Sequence, residues 1–366
     1  MAIIPQADPS MRIARYRTEI DSAIAKTLSS HHYILGPAVE SFEADFAAYL
    51  GVRHCVGVAS GTDALALSLR GLGIGNGDEV ITTALTASGT AQAILHCGAT
   101  PRFVDIDPAS WCIDPVAVEA GITARTAAII PVHLFGYPAD MSRLMKIAER
   151  HGLAVIEDCA HAHGAMLDDQ MLGSFGHAAA FSFYPTKNLG GIGDSGAIVT
   201  NDDRLAAKLQ SLRYYGIAYG QKESSTIGFN SRMDELQAAI LSVMLRHLDA
   251  GNAERRALAE EYRRELTGGN LLLPPDSSGA VYHQFAIAHR DREQLARTLY
   301  NKMDIRTAVH YYPPLHHHPA FRNGIVEQLS NCEWLSSRLL SLPIQPEVAS
   351  GNIGIISRNI LKVIGL

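Results

Sequence analysis

The feature that most constrains the fold is a repeated alternation of short apolar runs and helical stretches up to residue 200. Many of the stretches between the runs, such as 63–73, 90–98 and 140–152, have helical periodicity. Several runs are continuous rather than alternating, as in strands covered on both faces. The pattern predicts an α/β fold with a mostly parallel seven-stranded sheet, and its strands are 54–59, 79–83, 100–106, 127–133, 153–158, 178–184 and 196–200.

The sequence changes character after the seventh predicted strand. Residues 232–248 predict a helix with one apolar stripe, and Ser231 and Asp234 are predicted to cap its start. Beyond residue 250 the pattern is more mixed. A chain of 366 residues can form a large domain and a smaller one. We therefore predict a large domain at 1–250 and a smaller α+β domain at 251–366.

The composition excludes several classes of protein. The net charge of −6 argues against nucleic acid as a partner, because phosphate binding needs a basic surface. No apolar run approaches the ~18 residues of a membrane helix, and the first residues lack a secretory signal pattern. The five cysteines are scattered and odd in number. We expect a cytoplasmic protein with reduced thiols and no membrane partner.

A single lysine, Lys187, stands in a loop between two predicted core strands. Most loop lysines are simply exposed. A lysine at the end of a buried strand can also be reactive, because desolvation lowers its pKa and frees the amine for a Schiff base. The following stretch GGIGDSG matches G-x-G-x-x-G but leads into a strand, so it does not predict a dinucleotide site. Its glycines can let the loop pass close to a group beside Lys187.

An acidic pair, Glu157 and Asp158, ends the fifth predicted strand. Ligands of parallel α/β sheets bind beyond the carboxyl ends of the strands, so an acid there can pair with a cationic ring nitrogen or a metal. A solvated loop acid or a helix cap is the alternative. His161 and His163 could join Asp158 around a metal, but no His-x-x-x-His helix or cysteine cluster supports that interpretation.

Residues 60–62, Ser-Gly-Thr, lie between a predicted strand and a predicted helix. Backbone N–H groups at a helix N-terminus suit a phosphate, although an ordinary N-cap would have the same sequence. Pyridoxal phosphate needs a lysine for an imine, an acid for its ring nitrogen and a phosphate site. All three features occur on strand-end loops of one predicted sheet. Together they predict a pyridoxal phosphate enzyme.

Three adjacent histidines, 316–318, follow a Tyr-Tyr-Pro-Pro stretch. Adjacent residues do not share a face of a regular element, so we expect no metal cluster there. One or two of these histidines could line a pocket, and an exposed surface loop is the alternative.

Seven stretches spread over the chain resemble signatures of one known family. They are YILGPAVESFEADFAAYLGV (33–52), SGTDAL (60–65), PVHLFGYPADM (131–141), VIEDCAHAHGA (155–165), FSFYPTKNLG (181–190), GFNSRMDELQAAI (228–240) and LSLPIQPEV (340–348). The chain is similar to the DegT/DnrJ/EryC1/StrS family of sugar aminotransferases. These are fold-type-I pyridoxal phosphate enzymes, and most act on nucleotide-linked ketosugars.

The resemblance implies roles for residues around the cofactor ring. Lys187 would form the imine, Asp158 would pair with the ring nitrogen, and His161 would lie near the ring oxygen. Ala87 stands where many members have an aromatic side chain that stacks on the ring. The retained Lys187 favours transamination over dehydration, since members that act as dehydratases have histidine at this position.

The resemblance also implies the phosphate contacts. Gly61, Thr62 and Ser182 would hold the phosphate of the same subunit. Asn230 would reach the phosphate in the neighbouring subunit, so the active unit would be a homodimer with shared sites.

His310 and His316 fall at positions that resemble the family's sugar-nucleotide contacts. The resemblance implies glutamate as amino donor and a nucleotide-ketosugar as acceptor. Other functions stay open: a non-nucleotide cyclic ketone as acceptor, sugar dehydration, or a non-catalytic regulatory role. Arg213, Arg232 and backbone amides are all candidates for binding the donor carboxylate.

Overall fold

The computed structural model describes residues 3–218, 220–268 and 271–365. The strands are β1 (His54–Val58), β2 (Glu79–Thr83), β3 (Thr100–Val104), β4 (Thr126–Ile129), β5 (Ala154–Asp158), β6 (Met166–Leu167), β7 (Gln170–Met171), β8 (Ala178–Ser182), β9 (Gly196–Thr200), β10 (Phe285–Ala288), β11 (Ile325–Val326) and β12 (Leu339–Leu342). The helices are α1 (Pro9–Arg15), α2 (Arg17–Leu28), α3 (Pro37–Leu50), α4 (Gly61–Gly71), α5 (Ser88–His96), α6 (Pro115–Ala120), α7 (Met141–His151), α8 (Asp203–Leu212), α9 (Glu235–Leu245), α10 (Leu248–Glu265), α11 (Arg292–Met303), α12 (Ser330–Ser336), α13 (Pro346–Ala349) and α14 (Ile353–Ile364). Short 3₁₀ turns occur at Leu134–Gly136, Leu315–His317 and Pro319–Phe321.

The large sheet has the strand order β1-β9-β8-β5-β4-β2-β3-β11. All seven predicted strands are present in it. The pairs from β8 to β11 are parallel, and only β9 runs antiparallel to its neighbours. The prediction of a mostly parallel α/β sheet is therefore confirmed. The eighth strand, β11, comes from the C-terminal part of the chain and extends the edge beyond β3.

Both faces of the sheet are covered, which explains the continuous apolar strands. On one face α4 packs against β8 and β9 and beside α5 and α8. On the other face Phe46 of α3 makes edge-to-face contacts with Phe181 and Phe183, at centroid distances of 5.0 and 5.4 Å. The sheet is consequently the buried centre of a three-layer arrangement.

Local signals predicted some helix ends correctly. The carboxylate of Asp140 accepts the Arg143 N–H at 3.0 Å at the start of α7. The helix stops at Gly152, whose φ is 66°. Both ends match the predicted cap and stop.

The predicted capping pair at α9 is wrong. The Ser231 hydroxyl donates to Asp63 at 2.7 Å instead, and Asp234 makes no side-chain cap bond. The next residue, Glu235, is buried and caps a different helix: its carboxylate accepts the N–H groups of Gly36, Ala38 and Val39 at 2.8–2.9 Å. Ser231 and Glu235 therefore bond to distant parts of the chain instead of forming a cap at the start of α9. For Glu235 this is possible because α3 and α9 pack side by side.

The C-terminal part contains a two-stranded antiparallel sheet of β10 and β12. Helices α11 and α14 pack together and α14 also contacts α10. The predicted boundary between residues 250 and 251 falls inside α10, so the proposed two domains would share this helix. Among the described residues, no helix is long and apolar enough to cross a membrane.

Candidate active site

The strand ends that carry the predicted site residues meet at one edge of the sheet. Val58 at the end of β1 and Ser182 at the end of β8 both pair with Gly196, the first residue of β9. Asp158 at the end of β5 pairs with Ala180 of β8. The segments that follow these strands therefore leave the sheet side by side.

Lys187 lies in the loop after β8 and is partly buried. Burial lowers the pKa of its amine to about 8, against the opposing effect of the nearby Asp158 carboxylate. A substantial fraction of the amine is therefore neutral near physiological pH, as a nucleophile requires. The structure thus brings the lysine and the acid of the predicted site together.

The Asp158 carboxylate is buried and held on both oxygens. One oxygen accepts the Thr90 hydroxyl at 2.8 Å and the other accepts the Ala160 N–H at 3.2 Å. Burial raises the pKa of Asp158, while the Thr90 bond acts in the opposite direction. No local sequence pattern identified Thr90, which lies in the first turn of α5. Its position after β2, at the carboxyl edge of the sheet, was the available signal.

His161 is a buried neutral imidazole. Its Nδ1 accepts the Phe135 N–H at 3.2 Å, so the ring proton resides on Nε2, which is 3.3 Å from the Tyr311 hydroxyl. Burial holds its pKa well below the usual range, and Lys187 adds to that effect. The ring of His283 lies 4.4 Å from that of His161, centroid to centroid.

Its neighbour His163 is enclosed between Phe181 and Phe183. Burial lowers its pKa to about 3. Neither ring nitrogen has a hydrogen-bond partner among the described residues.

The start of α4 lies against Ser182. The Ser60 hydroxyl accepts the Asp63 N–H at 3.1 Å, so Ser60 is a true N-cap. A Cβ on Gly61 would stand 2.7 Å from the Cβ of Ser182, and only glycine permits this approach. The first N–H groups of a helix lack intrahelical partners, so the start of α4 beside Ser182 is suited to an anion.

Two other predicted residues lie on loops around this edge. Asn230 forms a backbone bridge with Tyr214 just before α9 and is exposed. His310 is partly buried, with Nδ1 2.9 Å from the Ser341 hydroxyl. Burial, reinforced by the charge of Lys187, lowers the pKa of His310 to about 4. His310 therefore belongs to the surroundings of Lys187.

His316 makes a different set of contacts. Its Nε2 is 3.1 Å from a carboxylate oxygen of Glu333 in α12, and the Nε2 of His317 is 3.5 Å from the same oxygen. The three groups resemble metal ligands in their spacing. However, Nδ1 of His316 is buried without a partner among the described residues, whereas a ligating histidine normally donates from its second nitrogen. The cluster is best described as a His–Glu hydrogen bond.

Glu157, the neighbour of Asp158, points into a separate network. Its carboxylate accepts the N–H groups of Gly173, Phe175 and Gly176 at 2.9 Å, and it lies 3.1 Å from Nε2 of His133. Glu157 thus fixes the turn before β8, whereas the carboxylate of Asp158 lies near Lys187.

These groups fit pyridoxal phosphate. The neutral lysine amine can form its imine, the buried carboxylate needs a cationic partner such as a protonated ring nitrogen, and the α4 start with Ser182 suits its phosphate. The fold and the site define a pyridoxal-phosphate-dependent enzyme of fold type I. More specifically, the chain belongs to the DegT/DnrJ/EryC1/StrS aminotransferase family, whose model matches residues 15–360.

Similar proteins agree with this assignment. The dTDP-3-amino-3,4,6-trideoxy-alpha-D-glucose transaminase of Streptomyces venezuelae is 46% identical, over 94% of this chain and 92% of that protein. The UDP-N-acetyl-3-dehydro-alpha-D-glucosamine 3-aminotransferase of Acidithiobacillus ferrooxidans is 44% identical, over 99% and 98%. The crystal structure of S. venezuelae DesV in complex with a ketimine intermediate superposes with a TM-score of 0.96 at 42% identity, covering 100% of both chains. The chain is a pyridoxal-phosphate-dependent sugar aminotransferase.

Proposed function

We propose that this protein transfers the amino group of glutamate to a nucleotide-linked 3-ketosugar and so makes a 3-aminosugar. The observation that carries the proposal is the partly buried Lys187 amine beside the buried Asp158 carboxylate. Both relatives named above carry a 3-amino or 3-dehydro sugar in their names, one linked to dTDP and one to UDP. The nucleotide of the proposed acceptor is therefore dTDP or UDP.

Bound pyridoxal phosphate supplies an aldehyde carbon that reacts with amines and a ring that accepts electrons. The protein contributes proton handling and orientation. Nζ of Lys187, once free, takes a proton from the reacting carbon of the donor and returns one to the acceptor. Asp158 would hold a proton on the ring nitrogen, and Nε2–H of His161 would be available as a donor to the ring oxygen. Gly61, Thr62 and Ser182 would hold the phosphate.

Arg232 is the better candidate for binding the donor carboxylate. The guanidinium of Arg213 is buried and bonded to Glu43 and the Gly57 carbonyl, so its charge is already paired. Arg232 instead lies over the rings of Tyr214 and Tyr215, at 5.3 and 5.6 Å from their centroids. A guanidinium held this way keeps its donors available for a carboxylate.

We also propose a homodimer with shared sites, in which Asn230 reaches the partner's phosphate. Large apolar side chains are exposed on the loops around the site: Tyr184, Ile192, Tyr214, Tyr215 and Ile227. Such a patch beside an active site supports a second copy as its cover.

The buried, unpaired cysteines support a reducing compartment, for which we propose the cytoplasm.

The test uses purified protein loaded with pyridoxal phosphate. Glutamate alone should convert the visible absorbance of the bound cofactor to that of its aminated form. Addition of dTDP- or UDP-linked 3-ketosugars should restore the original band, with the aminosugar detected by mass spectrometry. Lys187→Ala serves as the inactive control. Turnover of a free cyclic ketone but of no nucleotide sugar would overturn the proposed acceptor, and no spectral response to glutamate would overturn the proposed donor.

A further inference from the structure

Arg12 of the first helix reaches into the loop that carries Lys187. One terminal nitrogen donates to the Lys187 carbonyl at 2.7 Å and to the Asn188 carbonyl at 3.1 Å. The other donates to the Pro185 carbonyl at 2.7 Å. Three backbone groups from residues 185–188 therefore converge on one guanidinium, although Arg12 is far away in the sequence.

The surroundings of Arg12 favour this single arrangement. The side chain is buried, and a cavity of about 20 Å³ next to it has room for no more than a water, so no bound anion competes for the guanidinium. Gly190 leaves the space that the guanidinium occupies, since a Cβ there would stand 2.6 Å from its nitrogen. Burying a guanidinium is unfavourable unless its donors are used, and here carbonyl oxygens accept from both terminal nitrogens, while Nε has no partner among the described residues.

Hydrogen bonds hold the start of α1, the helix that carries Arg12. The Asp8 side chain caps α1 by accepting the Ser10 N–H at 2.9 Å. The Gln345 side chain then bonds both the N–H and the carbonyl of Asp8, at 2.8 and 2.7 Å. The guanidinium is therefore held in a fixed position relative to the C-terminal part of the protein.

We propose that Arg12 is a positioning residue for Lys187: by holding the carbonyl groups of 185, 187 and 188, it fixes the loop backbone and thereby the place of the lysine amine. The inference rests on the proposed role of Lys187 in the aminotransferase. Arg12 touches no reacting atom. Its bonds end on the lysine's own backbone, so a displaced loop would move the amine away from Asp158 and toward water.

The test compares Arg12→Gln and Arg12→Lys with Arg15→Gln as a matched control. Arg15 lies on the same helix and makes a partly exposed pair with Glu254, so its variant removes the same charge without touching the loop. The Arg12→Lys variant keeps the charge but cannot bridge three carbonyls. The first readout is the titration of Lys187 in cofactor-free protein, by competitive acylation at a series of pH values and mass spectrometry. The second is the kinetics of the loaded enzyme with glutamate.

In wild-type protein and Arg15→Gln we expect Lys187 to titrate with a pKa of about 8. Both Arg12 variants should shift the titration toward the ordinary lysine value of about 10.4. They should also lower kcat about 10- to 100-fold with little change in KM, since misplacement of about 1 Å has effects of that size. Added guanidinium at low millimolar concentration should partly restore an Arg12→Ala variant, and ammonium should not.

Folded Arg12 variants with wild-type titration and kcat would overturn the proposal. So would variants that lose only thermal stability while Lys187 titrates normally, because that result describes a purely structural arginine. The acylation readout needs no substrate, so it tests Arg12 even if the proposed amination reaction fails.

Discussion

At the scale of single residues, the lowered pKa of Lys187 distinguishes it from an ordinary exposed lysine and has a measurable effect on stability. A lysine whose folded pKa is lowered binds fewer protons in the folded state than in the unfolded state, across the interval between the two values. Stability then rises with pH over that interval. Here the interval runs from about pH 8 to 10.5.

We therefore predict that cofactor-free wild-type protein gains about 1–2 kcal/mol of unfolding free energy between pH 8 and 10.5, relative to Lys187→Met. This magnitude is less than the full shift implies, because the side chain is partly exposed. Urea unfolding of both proteins at several pH values measures the difference. Parallel pH profiles for the two proteins would contradict the lowered pKa.

Asp158 gives the second residue-scale prediction. Asp158→Asn should keep the covalently bound cofactor, but lose about 100-fold or more in the rate of its reaction with glutamate. A neutral amide cannot hold a proton on the ring nitrogen. Thr90→Val, which removes one bond to the carboxylate, should cause a smaller loss. Stopped-flow absorbance measures both rates, and a wild-type rate in Asp158→Asn would show that Asp158 has another role.

The sequence indicated the residues proposed to perform chemistry better than the residues that support them. Lys187 and Asp158 could be proposed because Asp158 ends a strand of a recognisable sheet and Lys187 lies in the loop after another. Thr90 and Arg12 could not, because their partners lie on other elements and no local pattern records such contacts. His316 matched a family position, but the structure shows it bonded to Glu333. Its proposed contact with substrate stays a prediction.

At the scale of elements, the cap of α3 by Glu235 joins two segments that are distant in the sequence. One buried carboxylate accepts three N–H groups at the start of that helix. We predict that Glu235→Ala lowers the unfolding free energy by about 2–4 kcal/mol, because an N-cap and several charge-assisted bonds are lost together.

Glu40→Gln is the matched control for Glu235→Ala. Glu40 lies in the first turn of the same helix and is exposed, so its variant should change stability by less than about 0.5 kcal/mol. Equal effects of the two substitutions in chemical denaturation would mean that the carboxylate bonds contribute little.

Elements with strong local patterns were predicted well, and those that depend on distant partners were not. The seven strands and the ends of α7 followed from apolar runs, Asp140 and Gly152. The two-residue strand β11 is too short for any periodicity and exists because β3 offers it a free edge. The cap of α9 failed because Ser231 finds Asp63 in the folded protein, and a sequence pattern cannot reveal that competition.

At the scale of the whole molecule, the shared-site proposal predicts complementation between subunits. Lys187→Ala and Asn230→Ala chains, each inactive or weak alone, should recover activity when mixed and reassembled. In a mixed dimer one site collects both lesions and the other has neither, so up to half of the wild-type activity per dimer should return.

Labelled chains and native mass spectrometry should monitor subunit exchange in that experiment, with each variant mixed with itself as the control. Proven exchange without recovery, given a clear defect in Asn230→Ala alone, would place both residues in one subunit's site. Removal of the cofactor should also weaken the dimer, because a ligand bound only by the assembled form stabilises that form.

The strand order of the sheet has a consequence for how the protein is made. The sheet runs β1-β9-β8, so β1 pairs with a strand that is synthesised much later. At about 5–20 residues per second, the ribosome delivers β9 on the order of ten seconds after β1. Until then β1 lacks the strand with which it pairs, although α4 can already pack on β8. If Gly61 and Thr62 hold the phosphate as proposed, we expect the site to be complete only after β9 has joined β1 to the sheet.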